Sequence, residues 1–145
     1  MNEKILLAED SANDTELILA SMKGHHLANQ VVVVRNGAEA LDYLYRRGAF
    51  AGRPAEHPIL VLLDLKMPKV DGLDVLRQVK SDPALKLIPV VILTSSAEES
   101  DLVRSYDLGA NAYVVKPIAF DEFIEAIKHL GVFWLLINRP PPQRR

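Results

Sequence analysis

Short apolar runs alternate with amphipathic stretches five times along this chain. The runs are Ile5–Ala8, Val31–Val34, Ile59–Leu63, Val90–Leu93 and Ala112–Val115, all without period-two alternation and most of them rich in β-branched residues. Continuous apolarity of this kind is expected of parallel strands covered on both faces; the fifth run fits it least well. Between the runs, apolar residues recur at three- and four-residue steps, which predicts helices. Leu17, Ile18 and Met22 form one such stripe, and Ala38, Leu41, Leu44 and Tyr45 a second. Leu73, Leu76 and Val79 form a third, Leu102 and Tyr106 a fourth, and Phe120, Phe123, Ile124, Ile127 and Leu130 the clearest.

Start and stop signals agree with these elements. Ser11-Ala-Asn-Asp14 resembles a capping box and Ser96-Ala-Glu-Glu99 matches one. Gly109 suits a left-handed helix terminus ahead of the fifth strand. Strict alternation of strand and helix implies right-handed crossovers and helices on both faces of a parallel sheet. The segment from Arg46 to Pro58 carries two Gly, two Pro and mixed charge, so it is expected on the surface. The last residues, Arg139 to Arg145, are expected to be extended or disordered.

In open α/β sheets, ligands bind beyond the carboxyl ends of the strands. The residues just past each apolar run are therefore informative. The first run ends in Glu9-Asp10, the third in Asp64, the fourth in Thr94 and the fifth in Lys116-Pro117; the second gives only Arg35-Asn36-Gly37, a turn into a helix. Taken singly, an acid at a strand end is most often a solvated boundary or a cap, Thr94 can simply end a strand, and Lys116 can be ordinary surface. Their joint placement at four strand ends is not accounted for by capping. Carboxylates gathered on one edge repel unless a cation compensates, and magnesium prefers a few carboxylate oxygens with water and phosphate oxygens. Glu9, Asp10 and Asp64 suit that ion. The Lys116 ammonium and the Thr94 hydroxyl can donate to phosphoryl oxygens. The chemistry favoured is phosphoryl transfer onto Asp64.

Composition narrows the partners. With 145 residues the chain fits one domain with one sizeable core. A net charge of -2 gives no reason to expect nucleic acid or an anionic membrane as partner. The absence of cysteine excludes disulfides and thiolate chemistry. The apolar stretch after Met1-Asn-Glu-Lys4 is too short for a signal peptide and no later run could span a bilayer, so a cytoplasmic, soluble protein is expected.

Glu9-Asp10, Asp64 with Met67-Pro68 and Asp71-Gly72, Thr94, and Lys116-Pro117 together resemble the receiver domain of two-component response regulators, over about Lys4 to Leu130. The resemblance implies an α/β fold of the flavodoxin-like (βα)5 type, with a doubly wound parallel sheet in strand order 2-1-3-4-5. It implies a receiver domain at residues 1–131 and an apolar, then Pro/Arg-rich, extension at 132–145. Asp64 would be the phosphoacceptor, charged from a histidine of a sensor kinase. Asp10 would ligate magnesium directly, Glu9 through water, and the backbone carbonyl of Lys66 would complete the protein ligands beside Asp64. Thr94 and Lys116 would hold the phosphoryl oxygens, Thr94 and Tyr113 would act as the switch pair, and the peptide bond before Pro117 would be cis. Tyr113 alone reads equally well as a buried core tyrosine. The protein would take part in its own phosphorylation and dephosphorylation without being an enzyme on other substrates.

Two departures from the commoner pattern stand out: the acid pair is Glu-Asp rather than Asp-Asp, and Lys66 places a cation two residues after the acceptor. Beyond Leu130 too few residues remain for a DNA-binding output domain, so the signal is expected to pass to a partner or onward to another phosphoreceiver. The run Val132-Phe133-Trp134-Leu135-Leu136-Ile137 is either core or an association surface. With the long loop before the third strand, it resembles the small response regulators paired with bacterial and cyanobacterial phytochromes, whose members form homodimers. On that reading Phe133 and Trp134 contribute to a two-fold interface. Three rival functions compete with this one. A phosphatase of the haloacid dehalogenase type needs an acid where Lys66 stands. A flavodoxin-like cofactor binder needs a phosphate loop where Glu9-Asp10 stands. A receiver-like interaction module that is never phosphorylated is the remaining alternative, and the complete set of site residues argues against it.

Overall fold

The computed structural model describes residues 4–23, 30–65, 67, 69–95, 99–116, 121 and 125. The strands are β1 (Ile5–Ala8), β2 (Val31–Val34), β3 (Leu60–Leu63), β4 (Val90–Thr94) and β5 (Ala112–Val115). The helices are α1 (Ala12–Lys23), α2 (Gly37–Tyr45), α3 (Gly72–Ser81) and α4 (Glu99–Asp107), with a single 3-10 turn at Gly48–Phe50. Positions 121 and 125 are also helical. The fifth-helix stripe, the Ser96 cap, Pro117 and the tail with Phe133 and Trp134 lie outside the described residues.

The five strands form one parallel sheet in the order β2-β1-β3-β4-β5, as expected. Ala8 stands level with Val34 on one side and Leu63 on the other, so β1 and β3 end side by side in the middle of the sheet. Every residue of β1, β3 and β4 is buried. Their alternate residues serve opposite faces. Leu6, Ala8, Val61, Leu63, Val90 and Ile92 pack in one cluster with Leu41 and Leu44 of α2 and with Val75, Leu76 and Val79 of α3. Both faces are covered, which is why no polar residue interrupts the runs.

Three helices, α1, α2 and α3, have starts capped by side chains. At the start of α2, Asn36 Oδ1 accepts from the Glu39 amide at 2.8 Å, while the Glu39 carboxylate accepts from the Arg35 amide at 3.1 Å. The end of α2 is held from the long loop. The Arg53 guanidinium donates to the carbonyls of Tyr43 (2.6 Å), Leu44 (3.3 Å), Pro54 (2.8 Å) and Glu56 (2.7 Å). It also lies 4.3 Å from the centre of the Tyr43 ring, against whose edge Phe50 packs. The loop is at the surface, as expected, yet it is built around a cation that satisfies carbonyls the helix end leaves open. At the opposite end of the sheet from the predicted site, Lys80 Nζ donates to the carbonyls of Lys86 and Ile88 and to Asn111 Oδ1, tying α3 to the segments that enter β4 and β5.

The first four predicted helices form, with parts of their apolar stripes turned outward. Leu17 does not join Ile18 and Met22 in the core: it is 64 % exposed, because α1 turns a narrower apolar face inward than the stripe suggested. On α4, Leu102 and Tyr106 are also exposed; among its described side chains only Ser105 is buried. The Ser105 hydroxyl has no hydrogen-bond partner among the described residues. A buried hydroxyl left unpaired costs about 1–3 kcal/mol. Ser105→Ala is therefore expected to raise stability by about 1 kcal/mol in urea denaturation with an unchanged slope; a loss of stability would show that the hydroxyl is satisfied in solution.

Candidate functional site

The polar groups predicted at the strand ends do converge. The ladder hydrogen bonds continue one residue past each strand. The Glu9 amide donates to Val34 O at 3.0 Å, the Asp64 amide to Ala8 O at 3.1 Å, and the Lys116 amide to Thr94 O at 2.7 Å. These bonds fix the backbones of Glu9, Asp64 and Lys116 at one edge before any side chain acts. Glu9, Asp64 and Thr94 are buried there, while Asp10 is exposed. Carboxylate oxygens of Glu9, Asp10 and Asp64 lie within 4.8 Å of one another. Lys66, whose carbonyl was the fourth expected ligand, lies outside the described residues.

Lys116 reaches back across the sheet edge to these acids. Its Nζ donates to Glu9 Oε1, to Asp64 Oδ2 at 3.1 Å and to Asp14 Oδ2 at 2.9 Å. Sequence reasoning does not find the last of these partners. Ser11-Ala-Asn-Asp14 has the pattern of a reciprocal cap, and half of it is one: Ser11 Oγ accepts from the Asp14 amide at 3.2 Å. The Ser11 amide, however, donates to Glu9 Oε2, and the Asp14 carboxylate turns to Lys116.

One ammonium thus serves three carboxylates, with Asp10 close by. Burial pushes the Glu9 carboxyl up from 4.5 to about 7; the Lys116 hydrogen bond pulls it down and the neighbouring Asp64 pushes it up again. Burial works against the Lys116 charge, but the hydrogen bonds to Glu9 and Asp14 and the charge of Asp64 outweigh it, so the ammonium is held more firmly than an ordinary lysine. The site has more negative charge than its lysine can balance. A set of three carboxylate oxygens with that imbalance fits a hard divalent cation.

The turn leading away from Asp64 explains the Asp71-Gly72 pair. Asp71 caps α3, its Oδ1 accepting from the Asp74 amide at 2.9 Å. The Gly72 amide donates to Leu65 O at 2.8 Å, and a Cβ on Gly72 would stand 2.2 Å from Asp64 O. A Cβ on Gly37, the first residue of α2, would stand 1.9 Å from Val70 O on the same turn. Two helix starts therefore press on the segment that carries Asp64, and neither tolerates a side chain. Lys69 in that turn takes a left-handed φ of 68°. Tyr113 stands level with Ile92 and packs, half-buried, against the core cluster.

The profile of the response regulator receiver domain matches residues 5–128. The chain belongs to the response regulator receiver family. This receiver is 37 % identical over 131 residues to the response regulator Rcp1 of Synechocystis, covering 90 % of this chain and 88 % of Rcp1. Among solved structures, it is similar to the bacteriophytochrome response regulator RtBRR, at 56 % identity and a TM-score of 0.86, over 98 % of this chain and 86 % of that one. The phosphorylated cyanobacterial phytochrome response regulator RcpA is 42 % identical with a TM-score of 0.77, over 93 % and 95 % of the two chains. The Mn(2+)-bound form of Rcp1 is 35 % identical with a TM-score of 0.77, over 97 % and 99 %.

This receiver's geometry has two measurable outcomes. Gly72→Ala is expected to cost about 1–3 kcal/mol, the range for overpacking, because the helix start or the Asp64 backbone must move; unchanged urea midpoints would overturn the reading. In chelator-treated protein, folded Glu9 binds its proton more tightly than the unfolded chain does. Its contribution to stability is present in full below pH 4.5 and is lost as pH rises through about 7. The stability of the parent relative to Glu9→Gln should fall across that window, and parallel pH profiles would refute it.

Proposed function

We propose that this receiver accepts a phosphoryl group on Asp64 from a phosphohistidine of a sensor kinase and passes the signal to partners by a change of conformation. The observation that carries the reading is the arrival of Asp64, Glu9, Asp10, Thr94 and Lys116 at one sheet edge, with Asp64 in the middle strand of the sheet. An Asp64 carboxylate oxygen attacks phosphorus, the phosphorus–nitrogen bond to histidine breaks, and an acyl phosphate forms on Asp64. Lys116 donates to a phosphoryl oxygen, and the Thr94 hydroxyl to another. Glu9, Asp10 and Asp64 would hold magnesium, which when bound balances the charge of the carboxylates and the incoming phosphoryl oxygens. The manganese-bound structure of Rcp1 supports a divalent cation, and the phosphorylated RcpA supports the acyl phosphate.

The relatives favour a phytochrome histidine kinase as donor. The protein acts as phosphoacceptor rather than as an enzyme on other substrates, with Thr94 and Tyr113 as the switch pair. Leu102, Tyr106 and Val115 are exposed on α4 and β5, which supports a second copy of the chain as a partner through that side. Among the described residues no helix is long and apolar enough to cross a membrane, in keeping with a cytoplasmic role.

The test is intact mass after incubation with magnesium and a small-molecule phosphodonor. The parent should gain one hydroxylamine-labile phosphoryl group, and Asp64→Asn none. An unmodified parent under donor excess, or equal gain by the variant, would sink the proposal.

A further inference from the structure

The Lys116 ammonium has three protons to donate and three carboxylates to receive them, of unequal standing. Glu9 and Asp64 belong to the oxygen triad that fits a divalent cation; Asp14 does not. Lys116 in this arrangement therefore takes one oxygen each, Glu9 Oε1 and Asp64 Oδ2, from two carboxylates that the cation would share. A single positive charge and a double one cannot share Glu9 and Asp64 without strong repulsion. Asp14 stands outside the triad, in the first turn of α1, with its amide held by Ser11 Oγ. Its carboxylate is partly exposed, 37 % on the side chain, whereas Glu9 and Asp64 are buried.

We propose that Asp14 is a positioning residue for Lys116: it is the anionic rest on which the ammonium stays when Glu9 and Asp64 are given over to a divalent cation. The inference rests on the cation site proposed above. The long lysine stem lets Nζ withdraw toward Asp14 while remaining close to the Asp64 oxygens, where an incoming phosphoryl group would meet it. Without Asp14, the ammonium has only Glu9 and Asp64 among these partners and competes harder with the cation for them.

Magnesium binding measured by calorimetry on the full chain tests this without phosphorylation. Asp14→Asn should weaken magnesium binding about three- to tenfold, in the range of a removed outer partner of a metal ligand or an exposed ion pair, and Asp14→Glu should recover most of the loss. In a Lys116→Met background, Asp14→Asn should change magnesium affinity less than about twofold. A loss that persists in that background would mean that Asp14 acts directly on the cation, and an Asp14→Asn protein with parental affinity would mean that it serves only the helix; either overturns the proposal. A parent that binds no magnesium would instead refute the cation site itself. Thermal melts of each variant confirm folding.

Discussion

The Lys116 ammonium joins three parts of the fold: the end of β1 at Glu9, the first turn of α1 at Asp14, and the end of β3 at Asp64. No apolar packing could hold buried carboxylates that close together. Neighbouring carboxylates repel unless a cation stands among them; burial raises the affinity of Glu9 for its proton, and the Lys116 hydrogen bond opposes that rise. The rest of the structure is arranged so that this repulsion is confined to one edge. β1, β3 and β4 are buried from end to end, ladder bonds run on to Glu9, Asp64 and Lys116, and the charged atoms begin where the ladder stops.

Rigidity around the edge comes from backbone approach rather than from large side chains. The starts of α2 and α3 press on the turn after Asp64 so closely that a single methyl group at Gly37 or Gly72 would collide with a carbonyl oxygen. At the far end of the sheet, Lys80 and Asn111 make a polar lock of neutral acceptors around one cation, with no carboxylate among the described partners of its ammonium. The two lysines meet opposite surroundings. Lys80 meets carbonyl dipoles and closes a seam, whereas Lys116 meets a surplus of negative charge that other cations can contest.

Much of this was legible in the sequence because it depends on periodicity and on strand ends. Five uninterrupted apolar runs imply a covered parallel sheet, and the residue after each run is forced to its carboxyl edge, so Glu9, Asp64, Thr94 and Lys116 could be placed without coordinates. Asp14 could not, because a helix-start acid three residues after a serine has an adequate local explanation as a cap; only the length of the Lys116 side chain across the sheet reveals its partner. Arg53 was hidden for a similar reason. Its four carbonyl partners are backbone atoms, which leave no trace in residue identity. Leu17 misled because a stripe of apolar residues does not state how wide a face the sheet will accept.

Among the described side chains, the helices differ in what they bury. α3 buries Val75, Leu76 and Val79, begins against the Asp64 carbonyl and is pinned near its end by Lys80. α4 buries, among its described side chains, only Ser105, whose hydroxyl lacks a partner among the described residues, while Leu102 and Tyr106 face outward. α4 packs on β5, which is paired residue by residue with β4; Thr94 and Lys116 lie at the ends of that same pair. Thr94 and Lys116 thus tie the charged edge directly to the strand pair on which α4 packs.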